Sequence, residues 1–171
     1  IFEDCIVPKE NLLGKEGEGF KIAMMTLDGG RIGVAAQALG IAQGAFDMMV
    51  DYMLEREQFG VKLGKLDTLR FEVAKTKIQL DSARMLVYRA ADCKDKGLPY
   101  KSEAAMAKLA ASEAAVDITR QAIQFHGGYG YMAERPLERM YRDAKITEIY
   151  EGTSQVQQMV IASGVFDYRQ K

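Results

Sequence analysis

The stretch "LDTLRFEVAKTKIQLDSARMLVYRA", residues 66–90, decides the fold class of this chain. Its apolar and small residues follow one another at alternating steps of three and four, which places them on one face of an α-helix. Asp67 and Thr68 supply a helix N-terminus, and the Gly-Leu-Pro segment at residues 97–99 ends the helix. The residues that share this face are Leu66, Leu69, Val73, Thr76, Leu80, Ala83, Val87 and Ala90. The spacing predicts a long helix that packs with one face against other helices.

Two further helical runs flank this one. The run from residue 20 to about residue 56 has helical spacing, with a candidate break at Asp-Gly-Gly-Arg, residues 28–31. The run from 102 to 125 is rich in alanine, which predicts close approach of a neighbouring helix, and a glycine cluster from Gly127 caps its end. Its predicted buried positions are Ala105, Leu109, Val116 and Ile123.

The C-terminal part of the chain adds one short helix and one longer helix. Pro136 suits the first turn of a helix that ends near residue 144. The last helix begins at a Ser-Gln-Val-Gln segment of capping-box form, in which Ser154 is the N-cap and Gln157 reaches back to it. We therefore predict an all-α fold, an up-and-down four-helix bundle of antiparallel helices that occupies residues 16–171.

The first fifteen residues do not fit this helical pattern. Residues 2–7 have the composition of a short strand, which Pro8 ends. A single strand has nothing to pair with in a chain that is helical elsewhere. We therefore expect residues 1–15 to be the strand and linker that end an upstream β domain, and the chain to be a fragment of a longer protein.

Composition excludes several classes of function. The chain has 171 residues, 48% of them hydrophobic, which suits one globular domain, and its net charge of -1 argues against nucleic-acid binding. Cys5 and Cys93 are isolated and there is one histidine, so a metal site, a disulfide framework or a Ser-His-Asp triad is not expected. The most apolar window, residues 32–50, contains two glutamines and an aspartate, which predicts a buried bundle helix rather than a membrane span.

The stretch "KITEIYEGTSQVQQMV", residues 145–160, places Glu151 in the loop before the last helix. Tyr150 can form the wall of a pocket there, and Gly152 allows another group to approach the backbone closely. A carboxylate that is desolvated by apolar neighbours is a stronger base than a free glutamate. Alternatively, Glu151 stabilises the N-terminus of the nearby helix by about 0.3–1 kcal/mol through charge–dipole attraction. Spacing alone leaves both interpretations open.

Several motifs, in order along the chain, resemble the C-terminal domain of the flavin-dependent acyl-CoA dehydrogenases. They are "FEDCIVPKENLLGKEGEGFKIAM" at 2–24, "TLDGGRIGVAAQALGIAQ" at 26–43, "EREQFG" at 55–60, "EAAMAKLAASEAA" at 103–115, "QAIQFHGGYGY" at 121–131 and "RDAKITEIYEGTSQVQ" at 142–157. The resemblance extends along nearly the whole chain and is strongest to the short-chain, butyryl-CoA type.

The resemblance implies a reaction and a set of substrate contacts. An acyl-CoA dehydrogenase converts a short-chain acyl-CoA to a trans-2-enoyl-CoA in fatty acid β-oxidation. Glu151 matches the base that removes the α-proton of the thioester while the β-hydrogen leaves as hydride to the flavin of FAD. The backbone of Glu151 would also help to polarise the thioester carbonyl. The positions that match substrate contacts are Asp28, Gly29, Gly30, Arg31 and Gly152.

The family also implies two groups of FAD contacts, which belong to different subunits. Thr153, Ser154 and Gln155 match contacts to the FAD of the same subunit. Arg56 matches a contact to the FAD of a neighbouring subunit, and a planar guanidinium suits its pyrophosphate. The other positions of this second group are Gln124, Phe125, His126, Gly127 and Gly128. The implied partners are therefore a second copy of the chain, in a dimer or tetramer, and electron-transferring flavoprotein as oxidant.

The position of the base differs between branches of this family. The isovaleryl and long-chain types carry it immediately before the arginine that corresponds to Arg31, and have a small residue at the later position. Here Gly30 precedes Arg31, so the resemblance assigns the base to Glu151. The departures from the family pattern are Asp67 in place of a glutamine near the flavin, Gln158 in place of an arginine, and His126 in place of an aliphatic residue.

Two alternatives and a location complete these expectations. A parent enzyme that works in the opposite direction, as an enoyl-CoA reductase, would have the same residues. The chain alone, without its upstream domains, is expected to lack activity and to be a helical oligomerisation module. The implied location is the bacterial cytoplasm, with the mitochondrial matrix as the alternative.

Overall fold

Alanine-lined faces of two long helices meet at the centre of the fold. In the computed structural model, which describes residues 1–169, helix α1 runs over Gly19–Glu55 and helix α3 over Lys101–His126. Because the facing side chains are small, the two backbones approach closely over most of their length. The fully buried alanines of this interface include Ala35, Ala38, Ala42, Ala45, Ala107, Ala111, Ala115 and Ala122.

The remaining helices are arranged around α3. Helix α2 spans Asp67–Asp95 and packs on both α1 and α3, while α5, Leu137–Ile146, and α6, Ser154–Arg169, also pack on α3. A single turn of helix, α4, spans Gly128–Tyr131. The all-α bundle expected from the sequence is confirmed, and the two short helices α4 and α5 add to its four long ones.

A tight hairpin joins α1 to α2. Strands β1, Glu57–Gln58, and β2, Val61–Lys62, pair antiparallel around Phe59 and Gly60. Both turn residues have positive φ, +53° and +77°, as a two-residue turn of this kind requires. The hairpin reverses the chain directly after Arg56, so that Arg56 lies at one end of the bundle.

Three features differ from the sequence prediction. Helix α1 continues through residues 28–31 without a break, because a glycine inside a helix costs only about 1 kcal/mol and the surrounding residues are good helix formers. Residues 2–7 form no strand and are exposed, since the described chain offers them no partner strand. On α3, Leu109, Val116 and Ile123 are only half-buried. Several elements pack on this helix, so its buried surface is wider than the predicted stripe and is centred on other residues. The division at residue 15 stays a prediction.

Other local predictions agree with the structure. The predicted face of α2 is buried from Thr76 to Ala90, and Gly127, with φ +59°, ends α3. The two cysteines, Cys5 and Cys93, are free. Within residues 1–169 no helix combines the length and the apolar content that a membrane crossing requires.

Candidate active site

The loop between α5 and α6 holds Glu151 in an uncommon backbone conformation. Glu151 has φ +57° and Gly152 has φ +95°, both in the left-handed region. A residue other than glycine pays a steric cost there, and such residues cluster at functional sites. The amide of Ser154 donates to the carbonyl of Glu148 at 3.0 Å, and Tyr150 Oη donates to Gln37 of α1. The loop is therefore closed on itself and fixed to α1.

This conformation directs the Glu151 carboxylate onto the backbone of α1 at Gly30. A β-carbon built at Gly30 would lie 2.9 Å from both Cδ and Oε1 of Glu151, and closer still to Oε2. Oε2 is buried and has no hydrogen-bond partner among the described residues. The carboxylate thus occupies space that exists only because residue 30 has no side chain, and one of its oxygens is left without a donor.

The neighbours of Gly30 in the predicted substrate segment make other contacts. Arg31 is 7% exposed, and its Nη1 lies 2.7 Å from Oδ1 of Asp28. Its Nε is buried without a partner in the described chain. At Gly29 an added β-carbon would lie 3.1 Å from Nζ of Lys94. The structure therefore places Gly30 against the Glu151 carboxylate, whereas the helix surface at Gly29 faces Lys94.

Two buried side chains hold the backbone of the loop from behind. Lys108 of α3 donates from Nζ to the carbonyl of Gly152 at 2.8 Å. Gln157 of α6 donates from Nε2 to the same carbonyl at 2.9 Å and to the carbonyl of Glu151 at 3.2 Å. Both side chains are fully buried. Burial lowers the pKa of Lys108, Glu148 raises it, Arg31 lowers it, and Glu151 raises it.

The start of α6 corrects the predicted helix cap. The amide of Val156 donates to Oγ1 of Thr153 at 3.4 Å, so the capping hydroxyl belongs to Thr153 and not to Ser154. Gln157 does not reach back to Ser154, because its amide binds the two loop carbonyls instead. Thr153 and Ser154 are half-buried next to the Glu151 loop, and Gln155 is exposed.

A second group of predicted residues meets at the opposite end of α3. Arg56 and the glycine turn after α3 line an open cleft of about 610 Å³. The residues along it are Tyr52, Arg56, Gln58, Leu63, Leu69, Gln124, Phe125, His126, Gly127, Gly128, Tyr129 and Met132. All six residues predicted to contact the FAD of a neighbouring subunit are in this set.

His126 forms the buried floor of this cleft. Its ring stacks on Tyr52 with centroids 4.1 Å apart, and Nδ1 lies 2.8 Å from the carbonyl of Ala122. Burial lowers the pKa of His126, the Ala122 carbonyl raises it, and Arg135 lowers it. The neutral ring therefore donates from Nδ1, which leaves the buried Nε2 as an acceptor with no partner among residues 1–169.

The two groups of residues are far apart within one chain. Lys108, behind the Glu151 loop, and His126, in the cleft, are eighteen residues apart on α3. At the rise of an α-helix this separation is about 27 Å. The Glu151 site and the cleft therefore do not face one another in a single copy.

Sequence reasoning does not predict the contacts that Lys108, Gln157, Tyr52 and Arg135 make at these sites. Lys108 lies on α3 four residues after Ala104 and three before Ala111, which are both buried. A lysine at an apolar position of a helical stripe is a detectable signal for a buried charge. Tyr52 and Arg135 have no comparable signal, because their contacts depend on distant parts of the chain. The capping-box pattern draws attention to Gln157 but predicts a different partner for it. Arg135 lies 5.4 Å from the centroid of the Tyr52 ring.

Comparison with known proteins agrees with this architecture. The family model described as acyl-CoA dehydrogenase, C-terminal domain, matches residues 17–166. The short-chain specific acyl-CoA dehydrogenase of Clostridium acetobutylicum is 59% identical over 166 residues, which cover 97% of this chain and 44% of that protein. The acryloyl-CoA reductase (NADH) of Anaerotignum propionicum is 58% identical over 165 residues, 96% of this chain and 42% of that protein.

A solved structure gives the same result. The butyryl-CoA dehydrogenase of Megasphaera elsdenii superposes with a TM-score of 0.95 at 54% identity, over 97% of this chain and 43% of that one. The fold and the matched residues define a C-terminal helical domain of the acyl-CoA dehydrogenase type. The chain belongs to the acyl-CoA dehydrogenase family, and it spans less than half the length of the relatives it matches.

Proposed function

We propose that this chain is the C-terminal domain of a longer enzyme that oxidises a short-chain acyl-CoA to the trans-2-enoyl-CoA, with Glu151 as the base that removes the α-proton. The observation that carries the proposal is the Glu151 carboxylate, which is half-buried against Gly30 and whose Oε2 has no donor among residues 1–169. The substrate class is supported by relatives that are named short-chain specific and butyryl-CoA dehydrogenases.

The geometry gives each residue of the loop a separate task. A carboxylate oxygen without a donor keeps its lone pairs for a proton that arrives with a ligand. The left-handed backbone at Glu151 and Gly152 fixes the direction of that carboxylate before any ligand binds, so little reorganisation is needed during the reaction. The missing side chain at Gly30 leaves room for the carboxylate itself, which would face the α-carbon next to the thioester.

The residues of the cleft fit FAD. The Arg56 guanidinium is exposed there, as a partner for a pyrophosphate must be, and Nε2 of His126 is a buried acceptor still lacking a donor in the described chain. Arg56 and residues 124–128 would hold the FAD of a second copy, while Thr153, Ser154 and Gln155 would contact the FAD beside Glu151. Bound FAD would supply the acceptor for the two electrons that leave with the β-hydrogen.

Oligomerisation follows from the separation of the two sites. If the cleft serves an FAD whose reactive end lies at another copy's Glu151, a complete site requires two chains. We therefore propose a homo-oligomer, a dimer or tetramer, and electron-transferring flavoprotein as the oxidant. That the chain alone is inactive stays a prediction, as does the location in the bacterial cytoplasm or the mitochondrial matrix. Flavin absorbance and acyl-CoA turnover by the isolated chain test whether it is inactive. Light scattering tests whether it forms an oligomer.

The reverse reaction is a second candidate. One relative is named acryloyl-CoA reductase (NADH), and it matches this chain nearly as well as the dehydrogenase does. In that direction Glu151 would return a proton to the α-carbon of the enoyl-CoA, and the same residues would be used.

The test is a substrate series with the full-length enzyme. Butyryl-CoA, hexanoyl-CoA and octanoyl-CoA are mixed anaerobically with the oxidised enzyme, and crotonyl-CoA with the reduced enzyme. The proposal predicts fastest flavin reduction by butyryl-CoA. Failure of all three acyl-CoA substrates to reduce the flavin would contradict it, and fast reoxidation by crotonyl-CoA together with slow reduction by butyryl-CoA would favour the reductase.

A further inference from the structure

A fully buried lysine lies directly behind the loop that carries Glu151. Lys108 is on α3 with 0% of its surface exposed, between the buried Ala104 and Ala111 of the same helix. An ammonium group loses its hydration when it is buried, which is costly unless protein groups replace the water. Burial accordingly lowers the pKa of Lys108, and the residues that raise it are Glu148 and Glu151 of the loop.

The hydrogen bond of this lysine identifies what it acts on. Nζ donates to the carbonyl of Gly152 at 2.8 Å, across 44 residues of sequence. A lysine needed only to fill space could be replaced there by an aliphatic side chain of the same length, without the cost of burying a charge. The position of the ammonium therefore points to the carbonyl as the reason for a lysine at residue 108.

The carbonyl that Lys108 binds controls the orientation of the loop backbone. In a planar trans peptide the C=O and N–H groups point in opposite directions. Because Lys108 and Gln157 draw the carbonyl of Gly152 towards α3 and α6, the amide of Thr153 points to the opposite side. The same argument applies to the Glu151 carbonyl, which Gln157 binds, and to the amide of Gly152.

These bonds also maintain the left-handed backbone. Without the donor from α3, Gln157 would be the one remaining side-chain donor to the Gly152 carbonyl among the described residues. The restraint on the loop would weaken, and Glu151, with φ +57°, would relax towards the more favourable negative region. The carboxylate would then leave the space beside Gly30. A displacement of 1 Å in a reacting group can reduce a rate by about 10²-fold.

We propose that Lys108 is a positioning residue for Glu151, which acts by holding the Gly152 carbonyl and so directs the Glu151 carboxylate beside Gly30. This inference rests on the proposed role of Glu151 as the base. Lys108 touches neither substrate nor cofactor in this account. Its effect should therefore appear in the rate of the proton-abstraction step and not in the affinity for acyl-CoA.

The test compares four variants of the full-length enzyme by anaerobic stopped-flow reduction with butyryl-CoA, normalised to bound flavin. Lys108→Met keeps an unbranched apolar side chain, one bond shorter than lysine, and removes the donor. Lys108→Gln keeps an N–H donor on a side chain one bond shorter. Thr119→Val is the matched control, because Thr119 is a fully buried polar residue of α3 that bonds only to its own helix, at 2.6 Å to the Ala115 carbonyl. Glu151→Gln reports on the proposed function itself.

The expected result is a split between rate and affinity. Lys108→Met should lower the limiting rate of flavin reduction about 10²-fold with the dissociation constant for butyryl-CoA nearly unchanged, and Lys108→Gln should recover part of that rate. Thr119→Val should retain the wild-type rate for each bound flavin. If the Met variant yields no flavoprotein, the Gln variant decides, since an intermediate rate with unchanged affinity supports the proposal and a wild-type rate contradicts it.

Two outcomes would overturn the inference. One is a wild-type rate for Lys108→Met. The other is an equal loss of rate for Lys108→Met and Thr119→Val, which would indicate a general loss of packing. Failure of the proposed function is distinguishable from both, because Glu151→Gln would then reduce its flavin normally whatever the Lys108 variants do.

Discussion

The carboxylate of Glu151 lies against the backbone of Gly30, although 121 positions separate the two residues in the sequence. The contact joins the loop after α5 to the N-terminal third of α1, and it leaves no room for a side chain at residue 30. The family resemblance implies that the base stands at the loop position in some branches and at the position before the arginine in others. We therefore expect a carboxylate carried at either position to reach the same site.

A side chain at Gly30 should therefore displace the base. We expect Gly30→Ala to lower the rate of flavin reduction in the full-length enzyme by about 10- to 100-fold, because its β-carbon would lie 2.9 Å from Oε1 of Glu151. The matched control is Gly33→Ala on the same helix, where an added β-carbon meets nothing within 4 Å. Gly33→Ala should leave the rate unchanged and stabilise α1 by up to about 1 kcal/mol. Equal rates for the two variants would contradict the account.

Exchange of the two residues tests whether the positions are equivalent. The double variant Gly30→Glu with Glu151→Gly should reduce its flavin with butyryl-CoA faster than Glu151→Gly alone, since the carboxylate then enters the same space from α1. Stopped-flow flavin absorbance measures both rates. No gain of activity in the double variant, at full flavin content, would show that the two positions are not interchangeable here.

Loss of Arg56 should weaken FAD binding. We expect Arg56→Ala to raise the dissociation constant for FAD about 10-fold or more, and Arg56→Lys to raise it less, because lysine keeps the charge and loses the paired geometry. Arg120→Ala is the control, an exposed arginine of α3 that does not line the cleft. Fluorescence of released FAD during dilution measures the affinity. An unchanged dissociation constant for Arg56→Ala would contradict the proposal that FAD binds in the cleft.

His126 should make the stability of the chain depend on pH. Burial lowers the pKa of His126 in the folded chain below the ordinary value of about 6.5 that it has in the unfolded chain. Between the folded-state pKa and the unfolded-state pKa, the unfolded chain therefore binds more protons than the folded chain. The free energy of unfolding therefore falls as the pH is lowered through 6.5. His126→Phe keeps the stacking on Tyr52 and removes this dependence. Urea unfolding of both proteins is measured at a series of pH values from 8 to 5. As the pH is lowered, the free energy of unfolding of the variant should rise relative to that of the wild type. The opposite trend would contradict the lowered pKa of His126.

Helical spacing predicts α2 well and α3 only in part, for a physical reason. The partners of α2 lie on one side of it, so its buried residues from Thr76 to Ala90 form a single stripe. Helix α3 packs against α1, α2, α5 and α6 as well as the short α4, and polar residues such as Lys108 and Thr119 are buried together with its alanines. No stripe of apolar residues can describe a helix that is buried on most sides.

The candidate site shows the same limit more clearly. The motif around Glu151 indicates the loop that carries the proposed base, but the capping hydroxyl is that of Thr153, and the two residues before it adopt positive φ. Backbone conformation of this kind is not encoded in residue spacing. The Gly30 contact likewise depends on how α1 and the loop pack, so the sequence indicates a break in α1 where the structure has space for a carboxylate.

The most direct test of the central claim is anaerobic flavin reduction by butyryl-CoA in the full-length enzyme with Glu151→Gln. Glutamine keeps the size of the side chain and removes the base. Glu138→Gln is the matched control, a glutamate of α5 that pairs with Arg142. At equal flavin content, the account predicts that the Glu138 variant bleaches at the wild-type rate while the Glu151 variant stays oxidised over the same time. Bleaching of the Glu151 variant at the wild-type rate would contradict the account.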